Sequence, residues 1–210
     1  HDDNYPFHYV WSVNPDAFGP YRYVYVAPVH IDTLLELGWR ESVNHAMSLS
    51  AREQYLEKLA DYFRAAVTTR LADGSANRFR PAHHPGRQTL TLRLAIVQAV
   101  PANAVVNSVN LASTPAMFFV PLAWPVKTAI TLPLQFVFPD GSIAIEGIVE
   151  DSVTGADLFL FADRESEKFS LVHVNDFTLF GHHRDILDEW ADNIVRSLNK
   201  RARASVRDSS

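Results

Sequence analysis

At 210 residues and 47% hydrophobic content, the chain is long enough to bury a full core as one domain. A net charge of −5 and a pI near 6.0 give no overall pull toward nucleic acid or an anionic membrane, and nine histidines reduce that charge only in mildly acid surroundings. With no cysteine, disulfides, thiolate metal sites and cysteine nucleophiles are excluded.

Residues 1–20 mix aromatics with Pro and Asp without a period. They are expected to form an irregular lead-in whose Tyr9, Trp11 and Phe18 dock on the body. Because the chain begins at His1 rather than Met, it is read as a processed or trimmed form. A strand is expected over Tyr21–Val29, with Tyr21, Tyr23 and Tyr25 on one side and Val24 and Val26 on the other. The tyrosine row reads as a cross-strand ladder on a half-buried face in preference to a stacking platform for bases or sugars.

Ser50, with Glu53 three positions on, opens a helix as a capping box. Leu56, Leu59, Phe63, Ala66, Val67 and Leu71 then recur at three- and four-residue steps, and Gly74 supplies the stop. Residues 75–88 form a basic loop that carries His83 and His84. In Thr89–Ala99, the alternation of Leu90, Leu92, Leu94 and Ile96 predicts the next strand. The first strand, the helix and this strand together make a βαβ crossover.

From Arg93 to Asp140 the only charge between is Lys127. A membrane span needs roughly twenty apolar residues without helix breakers. Here Pro101, Pro115, Pro121, Pro125 and Pro133 interrupt, which argues against a transmembrane helix. Around residues 100–130 an apolar, proline-rich loop is expected. Its Met117, Phe118, Phe119, Val120, Leu122 and Trp124 either cover the core or form an exposed patch for a partner, a lipid or a second copy.

A three-stranded antiparallel meander is predicted over Thr131–Phe138, Ser142–Asp151 and Ala156–Asp163. Pro139-Asp140-Gly141 and Thr154-Gly155 make its turns. Pro133 places the first of these strands at an edge or a bulge, and Gly147 suggests a bulge in the second. Leu158, Phe159, Leu160 and Phe161 leave the third strand apolar on both faces, as in an interior strand. Arg164–Gly181 reads as a loop. The last helix is expected over Arg184–Leu198, with Leu187, Trp190, Ile194 and Leu198 as its buried stripe and Asp185, Asp188 and Glu189 in its first turns, favourable to the helix dipole. Residues 200–210 read as a flexible basic tail.

Chemistry is sparsely signalled. His182, His183 and Asp185 cluster at the start of the last helix and are weak candidates for a divalent metal. No G-x-S-x-G, Walker loop or G-x-G-x-x-G occurs. Glu146, Glu150 and Asp151 could serve as an acid–base pair, but Glu146 and Glu150 alternate with apolar neighbours like a solvated strand face. No catalytic residue, cofactor or nucleic-acid partner is expected.

Tyr23–Ile31 (YVYVAPVHI), the helix with Asp61-Tyr62-Phe63, Leu92–Asn107, the turn Glu146–Gly155 (EGIVEDSVTG) leading to Ala162-Asp163, and the Trp190 helix together resemble bacterial lipoproteins of domain-of-unknown-function family 3313. The resemblance runs from about Tyr21 to Asn199. It implies an exported domain on the periplasmic face of the envelope, tethered to the outer membrane by lipid on an N-terminal cysteine. This chain carries no such cysteine. The family has no established activity, so no catalytic residues transfer, and Asp151, Thr154 and Gly155 look like turn chemistry.

The expected architecture is a single α+β domain over 21–199. A mixed, mostly antiparallel sheet of about five strands is covered by two main helices in the order β-α-β-β-β-β-α. The expected function is a non-enzymatic binding or accessory module that contacts an envelope protein or a second copy through residues 105–124, with Phe118, Phe119 and Trp124 as the contact residues. The alternatives are a periplasmic metal-dependent hydrolase using His182, His183 and Asp185, or a small-molecule or lipid-binding domain.

Overall fold

The alternating run Thr89–Ala99 forms the strand on which the sheet is assembled. A computed structural model describes residues 5–12, 18–32, 49–74, 77–99, 143–165 and 181–207. In chain order the elements are β1 (Tyr9–Ser12), β2 (Tyr23–Val26), α1 (Leu49–Asp73), β3 (Arg80–Ala82), β4 (Thr89–Ala99), β5 (Ile143–Asp151), β6 (Asp157–Glu165) and α2 (Gly181–Arg207). The six strands lie in the order β1-β6-β5-β4-β2-β3. β2 runs parallel to β4 and β3, and the remaining pairs are antiparallel. This is the expected mixed α+β domain, with six strands where about five were predicted.

Alternation decides which side chains meet. Leu90, Leu92, Leu94 and Ile96 of β4, Ile143, Ile145 and Val149 of β5, and Phe159 and Phe161 of β6 share one face of the sheet and one core cluster. Both helices close that face. The predicted α1 stripe from Leu56 to Leu71 is buried, as are Leu187, Trp190, Ile194 and Leu198 of α2. Ala95, Ile148 and Leu160 form a second, smaller buried cluster on the opposite face, with Trp11 and Val97 packed against it. β6 is therefore covered on both faces, as its sequence implied.

Several local expectations are corrected. The lead-in is not irregular throughout: Tyr9–Ser12 pairs with β6, and Phe7 and Phe18 are core residues. Within the loop predicted over residues 75–88, Arg80–Ala82 adds an edge strand beside β2, and Phe79 is buried. Four- and three-residue strands are too short to show a period, so only pairing reveals them. The tyrosine row is broken, because Tyr21 precedes β2 and turns into the core while Tyr23 is exposed. α1 begins at Leu49, which puts Ser50 inside the first turn. At its far end the Asn77 side chain donates to the carbonyls of Arg70 (2.7 Å) and Leu71 (3.3 Å), capping the helix beside Gly74.

Gly147 carries no bulge; it pairs in register with Leu94 and Phe161, and the register shifts fall at Ile96/Gln98 and Val149/Glu150. Its role is steric, since a Cβ there would stand 2.1 Å from the Phe161 ring. α2 starts earlier than predicted, so no acidic residue lies in its first turn. It also continues to Arg207, so the predicted flexible tail is largely helix, and Arg201 and Ala202 are buried. Arg201 sits 4.0 Å over the Phe159 ring and 4.6 Å over Tyr5, a cation–π environment that a basic tail pattern does not announce. The strand expected over Thr131–Phe138 and the segment carrying Phe118, Phe119 and Trp124 lie outside the described residues. Both edges of β5 are occupied, by β4 and β6.

Candidate functional site

The most distinctive run in the sequence, Glu146–Gly155, becomes the end of β5 and the turn into β6. Asp151 organises that turn. Its Oδ1 accepts from the Val153 N–H (2.8 Å), the Thr154 N–H (2.6 Å) and the Thr154 hydroxyl (3.0 Å), while Oδ2 accepts from the Tyr21 hydroxyl (2.6 Å). These donors, Tyr21 first, hold the Asp151 carboxyl down at about 2, and burial together with Asp151 pushes the Tyr21 phenol up to about 12. Gly155 takes φ +67, in the left-handed region, and its N–H donates to the Asp151 carbonyl at 2.9 Å. Ser152 is pinned to β4 through Thr89 O (3.1 Å) and the Thr91 hydroxyl (2.7 Å). Thr154 and Gly155 thus bond within the turn, while Asp151 and Ser152 also tie it to Tyr21 and to β4.

A second polar station lies under α2. Asp163 follows Phe159 and Phe161 on the core side of β6 and is 4% exposed. The Trp190 indole N–H donates to it at 2.6 Å, the His8 backbone N–H at 3.1 Å, and the His8 imidazole Nδ1 also contacts it. A buried indole requires an acceptor and a buried carboxylate requires donors; each satisfies the other. The contact ties the segment ahead of β1 to the helical layer.

The third station is the sheet face away from the helices. Glu146 sits between Ala95 of β4 and Ala162 of β6, and Arg93 and Arg164 flank it diagonally on those neighbours. It is 7% exposed and, among the described residues, has no hydrogen-bond or ion-pair partner. Burial raises its carboxyl to about 7. Glu150, four residues on along the same face, lies 3.7 Å from Arg93; burial raises its carboxyl and Arg93 opposes that. The solvated-face reading of Glu146 is therefore corrected. Asp151 points to the other side of the strand, toward Tyr21, so Glu146, Glu150 and Asp151 do not assemble an acid–base pair.

Within the histidine cluster, the two described members His183 and Asp185 lie in different environments. His183 is buried, with Nδ1 3.2 Å from the Tyr55 hydroxyl, whereas Asp185 is exposed. His182 lies in the first turn of α2 and its side chain is outside the described set. His83 and His84 are exposed in the β3–β4 connection. Among the described residues no group of three or more His, Cys, Asp or Glu side chains could hold a metal ion, and no helix is long and apolar enough to cross a membrane.

Sequence reasoning does not single out Asp163 as a buried polar residue, and it places Glu146 on a solvated face. Signals existed for both. Asp163 continues the core parity of Phe159 and Phe161, and a strand apolar on both faces implies that its neighbour, β5, is covered on both faces too.

A family model described as "Protein of unknown function (DUF3313)" matches residues 2–194. Among solved structures, a PelC variant dodecamer from Paraburkholderia phytofirmans is similar at 10% identity and a TM-score of 0.41, covering 91% of this chain and 98% of that one. A DUF4136 family protein from Bacteroides thetaiotaomicron is similar at 12% identity and a TM-score of 0.39, covering 94% of this chain and 99% of that one. No curated protein matches the sequence.

Proposed function

The chain belongs to the DUF3313 family of proteins of unknown function, and from that premise we propose that it is a non-enzymatic binding or accessory domain of the bacterial envelope. It faces the periplasm, is tethered to the outer membrane by N-terminal lipid, and contacts an envelope protein or a second copy through Val105–Trp124.

One observation carries this reading. Ala99 at the end of β4 pairs directly with Ile143 at the start of β5, so the two strands are neighbours where the chain leaves and re-enters the sheet. A hairpin there needs only two to five residues. The aromatic-containing stretch between them, charged only at Lys127 and Asp140, is far longer than connectivity requires, and connections beyond about 12–15 residues are usually either functional or linker segments. The metal-dependent alternative has no such support, since His183 and Asp185 occupy opposite environments.

Photo-crosslinking in the native envelope tests the proposal, with a probe at Phe118, Phe119 or Trp124. A discrete adduct with another protein, or a band at twice the chain's mass, is the expected result. Phe118→Ser or Trp124→Ser should abolish the adduct while thermal melting stays unchanged. No adduct from a folded chain, or unfolding of both serine variants, removes this segment as the contact surface.

A further inference from the structure

Basic residues are unevenly distributed over this acidic chain. No acidic residue occurs in 18–31 or in 77–99, the two stretches that supply β2, β3 and β4. Their backbones bring the arginines together. The Arg80 N–H donates to Arg22 O at 3.0 Å, and the Arg22 N–H donates to Gln88 O at 2.9 Å, beside Arg87. Gln88 takes φ 55 where the chain turns into β4.

Arg22, Arg80 and Arg87 are all exposed, and none has a carboxylate partner among the described residues. The other arginines of these stretches differ. Arg78 donates to Gly19 O (2.6 Å) and Ala202 O (3.3 Å), and Arg93 faces Glu150 at 3.7 Å. Asp151, in the turn between β5 and β6, accepts from Tyr21, Val153 and Thr154. A second, independent feature marks the same edge: Tyr23, in register with Arg80, is one of the exposed large hydrophobics at 43%.

We propose that the β2–β3 edge, through Arg22, Arg80, Arg87 and Tyr23, docks on the phosphate headgroups of an anionic lipid bilayer. Guanidinium groups bind phosphate oxygens in bidentate fashion, and a half-exposed tyrosine places its ring at headgroup depth with its hydroxyl in water. The partner is a surface rather than a pocketed ligand because all four residues are exposed and Arg80 lies on the edge strand of the sheet. With a net charge of −5, the rest of the molecule is repelled by such a surface, so this edge also sets the orientation of approach. The contact is separate from the one proposed for Val105–Trp124, and loss of cross-linking there leaves it standing.

The test is co-sedimentation of the full chain with phosphatidylethanolamine–phosphatidylglycerol vesicles, against phosphatidylcholine vesicles and a soluble acidic polysaccharide. Binding should be selective for the anionic vesicles and weaken with salt. The combined Arg22→Gln, Arg80→Gln and Arg87→Gln variant should lose roughly a hundredfold in affinity, with melting unchanged. Tyr23→Ser alone should weaken binding without altering its salt dependence. The proposal is overturned if the wild-type chain ignores anionic vesicles, binds neutral ones equally, prefers the polysaccharide, or keeps its affinity in the triple variant.

Discussion

Glu146 and Glu150 occupy the same face of one strand, yet their environments separate them. Glu150 has Arg93 within reach, whereas Glu146 lies between two alanines with Arg93 and Arg164 only diagonal to it. Burial raises the Glu146 carboxyl from 4.5 to about 7. The folded state therefore holds a proton that the unfolded chain has already released between about pH 4.5 and 7. Stability falls as pH rises through that window and is level on either side of it. Glu146→Gln mimics the protonated form, so it should match wild type near pH 4.5 and exceed it by on the order of 2 kcal/mol at pH 8. Urea unfolding at the two pH values measures this, and an equal gap at both would mean that the Glu146 carboxyl does not titrate with folding.

Elements are held in place by a few close fits. β5 and β6 lie close because Gly147 leaves room for the Phe161 ring, which also stacks on Phe7 at 4.5 Å. Gly147→Ala should cost about 1–3 kcal/mol through overpacking. With Phe161→Leu already present, the ring atoms that a Cβ would meet are gone and the added cost should shrink. A double-mutant cycle reads this coupling, and strictly additive losses would show that Gly147 is needed for something other than Phe161. The α1–α2 seam is fixed differently. Arg70 donates to Asp188 (3.0 Å) and Asp192 (2.6 Å), and the Tyr62 hydroxyl donates to Asp188 at 2.7 Å. Asp188, expected to favour the helix dipole, serves instead to join the two helices.

At the scale of the molecule, the first residues of the chain complete the sheet. β1 covers the outer edge of β6, Phe7 enters the core, and His8 meets Asp163 beside Trp190. Deleting residues 1–12 exposes that edge, removes a buried aromatic and withdraws two of the donors to a buried carboxylate. The expected loss is at least about 3 kcal/mol, measurable as a lower urea midpoint. A truncated chain that melts like the full one would make the segment an appendage. The opposite edge is built of Arg80-Pro81-Ala82, where charge and proline discourage pairing with another chain.

By itself, the sequence determined the elements whose periods are long enough to read. The stripes of α1 and α2, the alternation of β4 and β5 and the two-sided apolarity of β6 are repeated over several turns or residues, and burial demands that repetition. The parallel placement of β2 beside β4 followed from the intervening helix. Only the tertiary structure decided the rest. β1 and β3 are too short to carry a period and exist because a neighbouring strand offers its edge. The burial of Glu146, Asp163, His183 and Arg201 depends on what each of them meets across the fold. Gly147 looked like a bulge because one strand's sequence cannot show the ring on the next. A residue's own neighbours in the chain set its backbone preference, but its solvent and partners come from segments far away in sequence, and the polar stations of this molecule are built from those partners.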